Sequence, residues 1–114
     1  MSRSFVLPYL PPGSNQLHRM HHHAVARHRR QVRDDVTMLT RPIKPLMHRV
    51  RVTYDVFWKT NRKRDASNYV EGMKPALDAL VGRWLVDDDQ VELMVRGWPG
   101  AGSDEVRVTV EAME

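Results

Sequence analysis

Apolar and polar residues alternate in four segments of the chain, and a period of two is typical of β-strands. The first segment, RSFVLPYL, precedes the breaker Pro11-Pro12-Gly13, so we expect a strand that ends in a loop. The last two segments, QVELMVRGW and EVRVTVEAM, flank the turn-forming stretch PGAGSD. Their closeness along the chain predicts an antiparallel hairpin.

The segment HRVRVTYDVFWK has the clearest alternation. Its large apolar side chains share one parity, which predicts a buried face made of Val50, Val52, Tyr54, Val56 and Trp58. The other parity predicts an exposed, basic face that includes Arg49, Arg51, Thr53 and Lys59. Trp58 is therefore expected in the core, whereas Trp84 and Trp98 are open between core packing and stacking on nucleic-acid bases.

Two segments have the longer spacing of amphipathic helices. The first runs from about Met20 to Leu39 and ends before Arg41-Pro42, because proline disfavours helical geometry in the preceding residue. The second follows NRKR and contains Pro75. Either this helix is kinked at Pro75, or residues 68–74 form an irregular turn and Pro75 lies in the first turn of the helix.

The elements follow the order β-α-β-α-β-β. They predict a single small α/β (α+β) domain over residues 1–114, with helices packed on a mixed sheet. The chain has 114 residues, no cysteine, and no apolar segment near the roughly 20 residues of a membrane span. We therefore expect a cytoplasmic protein without disulfides, membrane contact or a small-molecule cofactor, and a partner subunit would help its modest core.

Charge is distributed unevenly along the chain. Residues 1–64 contain 14 Lys and Arg and 3 Asp, a formal charge of +11, whereas residues 65–114 contain 4 Lys and Arg and 11 Asp and Glu, a charge of −7. One interpretation is a basic half that faces a polyanion and an acidic half that holds cations. The alternative is that folding mixes the two halves.

Carboxylates flank the second predicted helix. Asp65 follows the long strand, and three carboxylates precede the next strand, at Asp87, Asp88 and Asp89. If the two strands are neighbours, these groups could converge, and clustered carboxylates favour a hard cation such as Mg²⁺. The alternative is a solvated turn at 87–89 and a helix-terminal role for Asp65.

Cations surround these carboxylates in the sequence, at Arg62, Lys63, Arg64 and Lys74. A metal ion polarises a phosphoryl oxygen and activates water, while Lys or Arg neutralises charge in the transition state. Cations beside an acidic metal site are therefore what a phosphodiester substrate requires.

The run His21-His22-His23, with His18 and His28 nearby, raises the question of a transition-metal site. Adjacent helical residues point about 100° apart, so three in a row are not expected to form one face. The alternatives are contact with phosphate and a solvated surface.

Four segments, taken in order, are similar to the motifs of one family. LPYLPPGSNQLHR is similar to a Leu-Pro…Pro-Pro-Ser-x-Asn segment, and KRDASN is similar to Arg-Asp-x-Asp-Asn. KPALDAL is similar to Lys-x-x-x-Asp-Ala-Leu, and WLVDDDQV is similar to Asp-Asp-x-Gln-Val. Together they cover nearly the whole chain, and it resembles the RusA-like Holliday junction resolvases, small dimeric endonucleases frequent in phages and prophages.

This resemblance implies a Mg²⁺-dependent endodeoxyribonuclease, with Mn²⁺ as a possible substitute. As a homodimer it would resolve branched DNA, namely four-way junctions, by paired symmetric nicks in DNA recombination and repair. The implied catalytic residues are Asp65, Asp88 and Lys74, and the implied metal ligands are Asp65, Asp87 and Asp88. Ser67, Asn68 and Asp89 would have supporting roles.

Basic side chains would hold the DNA phosphates, so affinity should fall steeply with salt. They belong to the first helix, the long strand and the NRKR segment: Arg27, Arg29, Arg30, Arg33, Arg49, Arg51, Arg62, Lys63 and Arg64.

The sequence departs from the family pattern at two places. Ser67 stands where the family has its second aspartate, so one carboxylate ligand is missing, and more residues separate Asp65 from Lys74 than in the family. Three alternatives follow. They are a branched-DNA-binding protein with weakened or lost catalysis, a small basic architectural or assembly protein, and a metal-dependent nuclease with other substrates.

Overall fold

A computed structural model describes residues 2–46 and 48–113, and of Asp88 it describes the backbone alone. The helices and strands follow one another as β1 (Ser2–Leu7), α1 (Ser14–Arg19), α2 (His22–Leu39), β2 (Val50–Phe57), α3 (Lys74–Leu80), β3 (Val91–Trp98) and β4 (Glu105–Ala112). Short 3₁₀ turns occupy Ala66–Tyr69, Glu71–Met73 and Asp88–Gln90. The chain is a small α+β domain, as the order of the sequence patterns predicts.

The four strands form one mixed sheet in the order β1-β4-β2-β3. Strand β4 is antiparallel to both of its neighbours, β1 and β2. Strands β2 and β3 are parallel, with Val50 opposite Val91 and Phe57 opposite Trp98. The predicted hairpin of β3 and β4 is therefore wrong, because β2 lies between them. The alternating valines of β4 are fully buried, which suits a central strand, whereas β3 is an edge strand.

The hydrophobic core lies on one face of the sheet. All five residues of the parity predicted to be buried in β2 and just beyond it are at most 2% exposed. Helices α2 and α3 cover this face, chiefly through Val32, Val36, Ala76 and Leu80. Val32, Val36 and Leu80, which are fully buried, each contribute roughly 1.5–3 kcal/mol, so this face is the main source of stability.

Of the two alternatives for the helix near Pro75, the structure has the irregular turn followed by a helix that begins just before this proline. Two 3₁₀ turns precede it, and α3 begins at Lys74 with Pro75 in its first turn, where a missing amide proton breaks no helical hydrogen bond. Helix α1 was not expected, because its six residues contain one buried apolar side chain, Leu17, and hence no period. No helix among the described residues is long and apolar enough to span a membrane.

The other face of the sheet, which we call the open face, is turned away from α2 and α3. The prediction of an exposed basic face on β2 is correct for Arg49 and Lys59 at its margins but wrong at its centre. There Thr53 and Asp55 are only 4% and 6% exposed. Ion pairs on this face join the two halves of the chain, Arg51 to Glu92 and Asp55 to Arg96, so folding mixes the halves here.

Candidate nucleic-acid interface

Asp65 lies beyond the carboxyl ends of β2 and β3. It caps the turn Ala66–Tyr69, and its Oδ1 accepts hydrogen bonds from the Ser67 hydroxyl at 2.7 Å and the Ser67 amide at 3.0 Å. These bonds, the hydroxyl first, lower the pKa of the Asp65 carboxyl. Asp65 is exposed and ionised at neutral pH, and Ser67 is already engaged with it.

Two clefts meet at Asp65, and both are also lined by Lys63 and Arg64. The larger has a volume of about 600 Å³ and extends over Trp58 towards Gly97. The smaller, of about 460 Å³, adds Arg62, Asn15 and Asn68. Three cations thus surround one carboxylate in an open depression, which gives this end of the sheet an excess of positive charge.

Asn68 fixes α1 against this site. The amide of Ser14 donates to Asn68 Oδ1 at 3.1 Å, and the Ser14 hydroxyl donates to the Asn68 carbonyl oxygen at 3.2 Å. A side chain on Gly13 would place its Cβ 2.2 Å from Asn68 Nδ2, so the two segments touch. Asn68 is therefore a positioning residue, and it brings Asn15 of α1 into the smaller cleft. Sequence reasoning missed Asn15, although the PPGSN segment contained it.

Asp87 and Asp89 lie at the other end of the sheet. Their turn directly precedes Val91, whose partner Val50 is the first residue of β2. The side-chain amide of Gln90 donates to the carbonyl oxygens of Leu46 and His48, both upstream of β2, at 2.7 and 2.6 Å. Asp65, in contrast, lies near the carboxyl end of β3. Its neighbour Ala66 contacts Gly97, the penultimate residue of β3: the Ala66 Cβ is 3.1 Å from where a Cβ on Gly97 would lie.

The implied metal ligands therefore do not fit one site within a single chain. Asp65 follows the end of β2, whereas Asp87 precedes the start of β3, and an eight-residue strand spans about 23 Å between those two ends of the sheet. Asp65 and Asp87 would come together if β2 and β3 were antiparallel neighbours. The two strands are parallel, so the end of β2 and the start of β3 lie at opposite ends of the sheet. The described residues contain no group of three Asp or Glu close enough to share an ion. The Asp88 side chain lies outside the described part of the chain.

Lys74, the other implied catalytic residue, lies at the start of α3. Its Nζ is 3.2 Å from Asp78 Oδ1, an exposed pair one helical turn apart. Such pairs contribute about 0.3–0.5 kcal/mol in helices. This contact gives Lys74 a role in the helix that requires no substrate.

The three consecutive histidines converge more closely than a continuous helix allows. His21 precedes α2 in extended conformation and its Nδ1 accepts a hydrogen bond from the His23 amide, so the run crosses the helix start. The ligand nitrogens lie within 4.8 Å of one another, and all three rings are exposed. Two nitrogens bound to one Zn²⁺ are about 3.3 Å apart, given Zn–N bonds near 2.05 Å, so the rings would have to rotate to share an ion.

The remaining basic residues lie on two other surfaces. The four arginines of α2 are all exposed, at Arg27, Arg29, Arg30 and Arg33. Arg49 is exposed ahead of β2, and Arg51 is half-buried on the open face with its Nη2 3.7 Å from Glu92 Oε1. Of the tryptophans left open by the sequence, Trp84 packs edge-on against Phe5 in the core and Trp98 is 45% exposed on the open face.

No protein-family model matches this chain, and a search of curated proteins finds no match to it.

Proposed function

We propose that this protein binds branched DNA, and four-way junctions in particular, in the manner of the RusA-like resolvases that its sequence resembles. The observation that carries the proposal is the group of three cations, Arg62, Lys63 and Arg64, beside the two clefts at Asp65. Phosphates that enter the clefts would meet these cations, and the exposed arginines of α2 would add further phosphate contacts.

Mg²⁺-dependent cleavage of the junction is the second candidate. It is favoured by Asp65, because Mg²⁺ is often held by one or two carboxylates together with substrate phosphates and water. Asp65 would hold the ion, which supplies Lewis-acid activation of the phosphodiester, while Lys63 and Arg64 offset phosphate charge. Two features weigh against efficient cleavage: Ser67 replaces a carboxylate, and Asp87 lies at the far end of the sheet.

Binding is tested first, in EDTA, so that cleavage cannot interfere. A labelled four-way junction and a linear duplex of the same sequence are titrated against the wild type at several salt concentrations. We expect the junction to bind more tightly than the duplex. The logarithm of the association constant should fall linearly with the logarithm of the salt concentration, with a slope of about −0.9 for each phosphate contact. Equal affinity for the two DNAs, or none for either, would favour an architectural or assembly role.

Two triple-alanine variants that remove equal charge show which surface recognises the junction. Replacement of Arg62, Lys63 and Arg64 should abolish the preference for the junction over the duplex. Replacement of Arg27, Arg29 and Arg30 should weaken both DNAs alike, because those arginines lie on α2, outside the clefts. A preference that survives the first variant would place recognition elsewhere.

Cleavage is then measured with Mg²⁺ and with EDTA. If Asp65 holds the ion, Asp65→Asn abolishes nicking and Asp87→Asn leaves it intact. If both variants are inactive, the two ends of the sheet cooperate in cleavage. Binding without nicks under either condition would identify a DNA-binding protein and remove the second candidate.

A further inference from the structure

Three histidine side chains come together where α2 begins. The ring nitrogens of His21, His22 and His23 that could bind an ion lie within 4.8 Å of one another. The centroids of the three rings are 4.1 to 5.0 Å apart. In the described part of the chain, no other three His, Asp or Glu side chains are close enough to share an ion. The linings of the two clefts at Asp65 contain none of these histidines, so the group is a separate feature of the surface.

The break between α1 and α2 makes this convergence possible. A continuous helix would turn each successive histidine by about 100° around its axis. Here α1 ends at Arg19, and His21 has extended backbone geometry before α2 begins at His22. The His21 ring therefore turns back over the first turn of the helix, where its Nδ1 accepts a hydrogen bond from the His23 amide at 3.2 Å. This bend gathers three consecutive side chains into one cluster.

Exposure allows the rings to adjust around an ion. All three histidines are exposed, so rotation of their side chains displaces no core residue. Such rotations can bring the nitrogens from their present spread to the separation of about 3.3 Å that two nitrogens have on one Zn²⁺. The hydrogen bond at His21 is then given up, because Nδ1 has a single lone pair and its acceptor role leaves the ring proton on Nε2. At 3.2 Å this bond is long, and the exposed amide of His23 can bind water instead.

The type of ligand decides which ions fit. Imidazole nitrogen suits Zn²⁺, Ni²⁺ and Cu²⁺, whereas Mg²⁺ prefers oxygen. From His18 to Arg33 the sequence contains no Asp or Glu, and the whole chain contains no Cys. The ligands that the run itself offers are therefore all imidazoles, and the cluster should discriminate strongly against Mg²⁺.

Three nitrogens leave at least one coordination position open. Zn²⁺ is commonly tetrahedral, and sites with three protein ligands take a solvent molecule or a substrate in the fourth position. The start of α2 is the positive end of its dipole, which disfavours a cation there. Solvent screens this effect at an exposed site, and an anion in the open position would offset it.

We propose that His21, His22 and His23 bind one Zn²⁺, or a divalent ion of similar ligand preference, through three imidazole nitrogens. Water or an anion from solvent occupies the remaining coordination position. The ion ties His21, which links α1 to α2, to the first turn of α2. This site goes beyond the proposed function, and its test contains no DNA.

Isothermal titration calorimetry of the full chain with Zn²⁺, at neutral pH in a large excess of Mg²⁺, is the first experiment. We expect one Zn²⁺ per chain. His21→Asn, His22→Ala and His23→Ala each remove one ligand, and asparagine keeps a residue that caps helices well. Because even groups that only orient metal ligands contribute about 10–100-fold to affinity, each variant should bind Zn²⁺ at least about tenfold more weakly. His48→Ala is the matched control: His48 is exposed ahead of β2, and this variant should bind like the wild type.

NMR of the backbone amides is the second experiment. Zn²⁺ should shift the His23 amide resonance in the wild type, because the ion takes the lone pair to which this amide donates. A His23 amide that does not move at saturating Zn²⁺ overturns the proposal, because His21 would then not be a ligand.

The calorimetry has three further outcomes that overturn the proposal. The first is no binding of Zn²⁺, or its displacement by Mg²⁺. The second is wild-type affinity in any of the three histidine variants, because the ion would then have at most two of these ligands. The third is half an ion per chain, which would show that the ion bridges two chains and not three side chains of one.

Discussion

Arg96 donates two hydrogen bonds to the Asp55 carboxylate across the parallel strands β3 and β2, at 2.8 and 3.0 Å. Trp98 Nε1 donates a third, at 2.9 Å, and Asp55 is only 6% exposed. Charge-assisted, two-point pairs of this kind fix geometry as well as contributing energy. The register that sets Arg96 opposite Asp55 also sends Asp65 and Asp87 to opposite ends of the sheet, so one pairing decides both features.

Asp55 should make stability depend on pH in the acid range. Burial opposes ionisation, but the hydrogen bonds from Arg96 and Trp98 and the charges of Arg96 and Arg107 prevail and lower the pKa of Asp55. The contribution of Asp55 is therefore present above its unfolded-state pKa of about 3.9 and is lost as pH falls through the lower folded value. Asp55→Asn should cost about 1–3 kcal/mol at neutral pH.

Urea unfolding at pH 7 and near pH 3 measures this effect. The difference in free energy of unfolding between wild type and Asp55→Asn should shrink at the lower pH. Asp34→Asn is the control, because Asp34 is exposed on α2 and should show no comparable change. A difference that is the same at both pH values would mean that Asp55 acts through packing alone.

Ser67 should control the pKa of Asp65. Its hydroxyl and amide both donate to Asp65 Oδ1, and Ser67→Ala removes the hydroxyl bond while it keeps the amide. The pKa of Asp65 should therefore rise in this variant, towards but not fully to its ordinary value. Titration of the carboxyl carbon by NMR measures the change, and Ser67→Thr, which keeps a hydroxyl, should stay near the wild type. An unchanged value in Ser67→Ala would show that the hydroxyl does not donate to Asp65 in solution.

Ser67→Asp should strengthen Mg²⁺ binding at the proposed site. It places a second carboxylate two residues from Asp65, and paired carboxylates repel each other unless a cation neutralises them. We expect tighter Mg²⁺ binding by calorimetry and faster nicking of the junction than in the wild type. Ser67→Asn is the isosteric neutral control and should give neither gain. Equal Mg²⁺ affinity in the Asp and Asn variants would mean that a carboxylate at position 67 does not contribute to ion binding.

Gly97 should be sensitive to any side chain. A Cβ there would lie 2.8 Å from Trp58 Cη2 and 3.1 Å from Ala66 Cβ, where the edge strand β3 meets the wall of the larger cleft. Gly97→Ala should therefore destabilise the fold by about 1–3 kcal/mol through overpacking. Trp58→Phe removes the contacted ring atoms, so the cost of Gly97→Ala should be smaller in that background. Purely additive costs in a double-mutant cycle would contradict this contact.

The amino-acid pattern alone predicted the four strands, helices α2 and α3, and the buried face of β2, but not helix α1. Alternation identified the strands, and the parity of β2 correctly gave its buried side, from Val50 to Trp58, because side chains in a strand must alternate between two faces. Because proline has no amide proton, the sequence allowed either a kink in α3 at Pro75 or a helix with Pro75 in its first turn, and the structure has the latter. The sequence also showed the three cations of the site beside Asp65, because Arg62, Lys63 and Arg64 directly precede it in the chain.

Tertiary structure alone decided which strands are neighbours and in which direction they run. The short link between β3 and β4 favours a hairpin locally, but β4 lies between β1 and β2 with its valines fully buried, and β3 pairs in parallel with β2. That choice separates Asp65 from Asp87 and buries Asp55 against Arg96. Neither depends on local sequence, because each results from pairing β2 with β3, about 40 positions apart, and a strand's own pattern specifies its faces but not its partner.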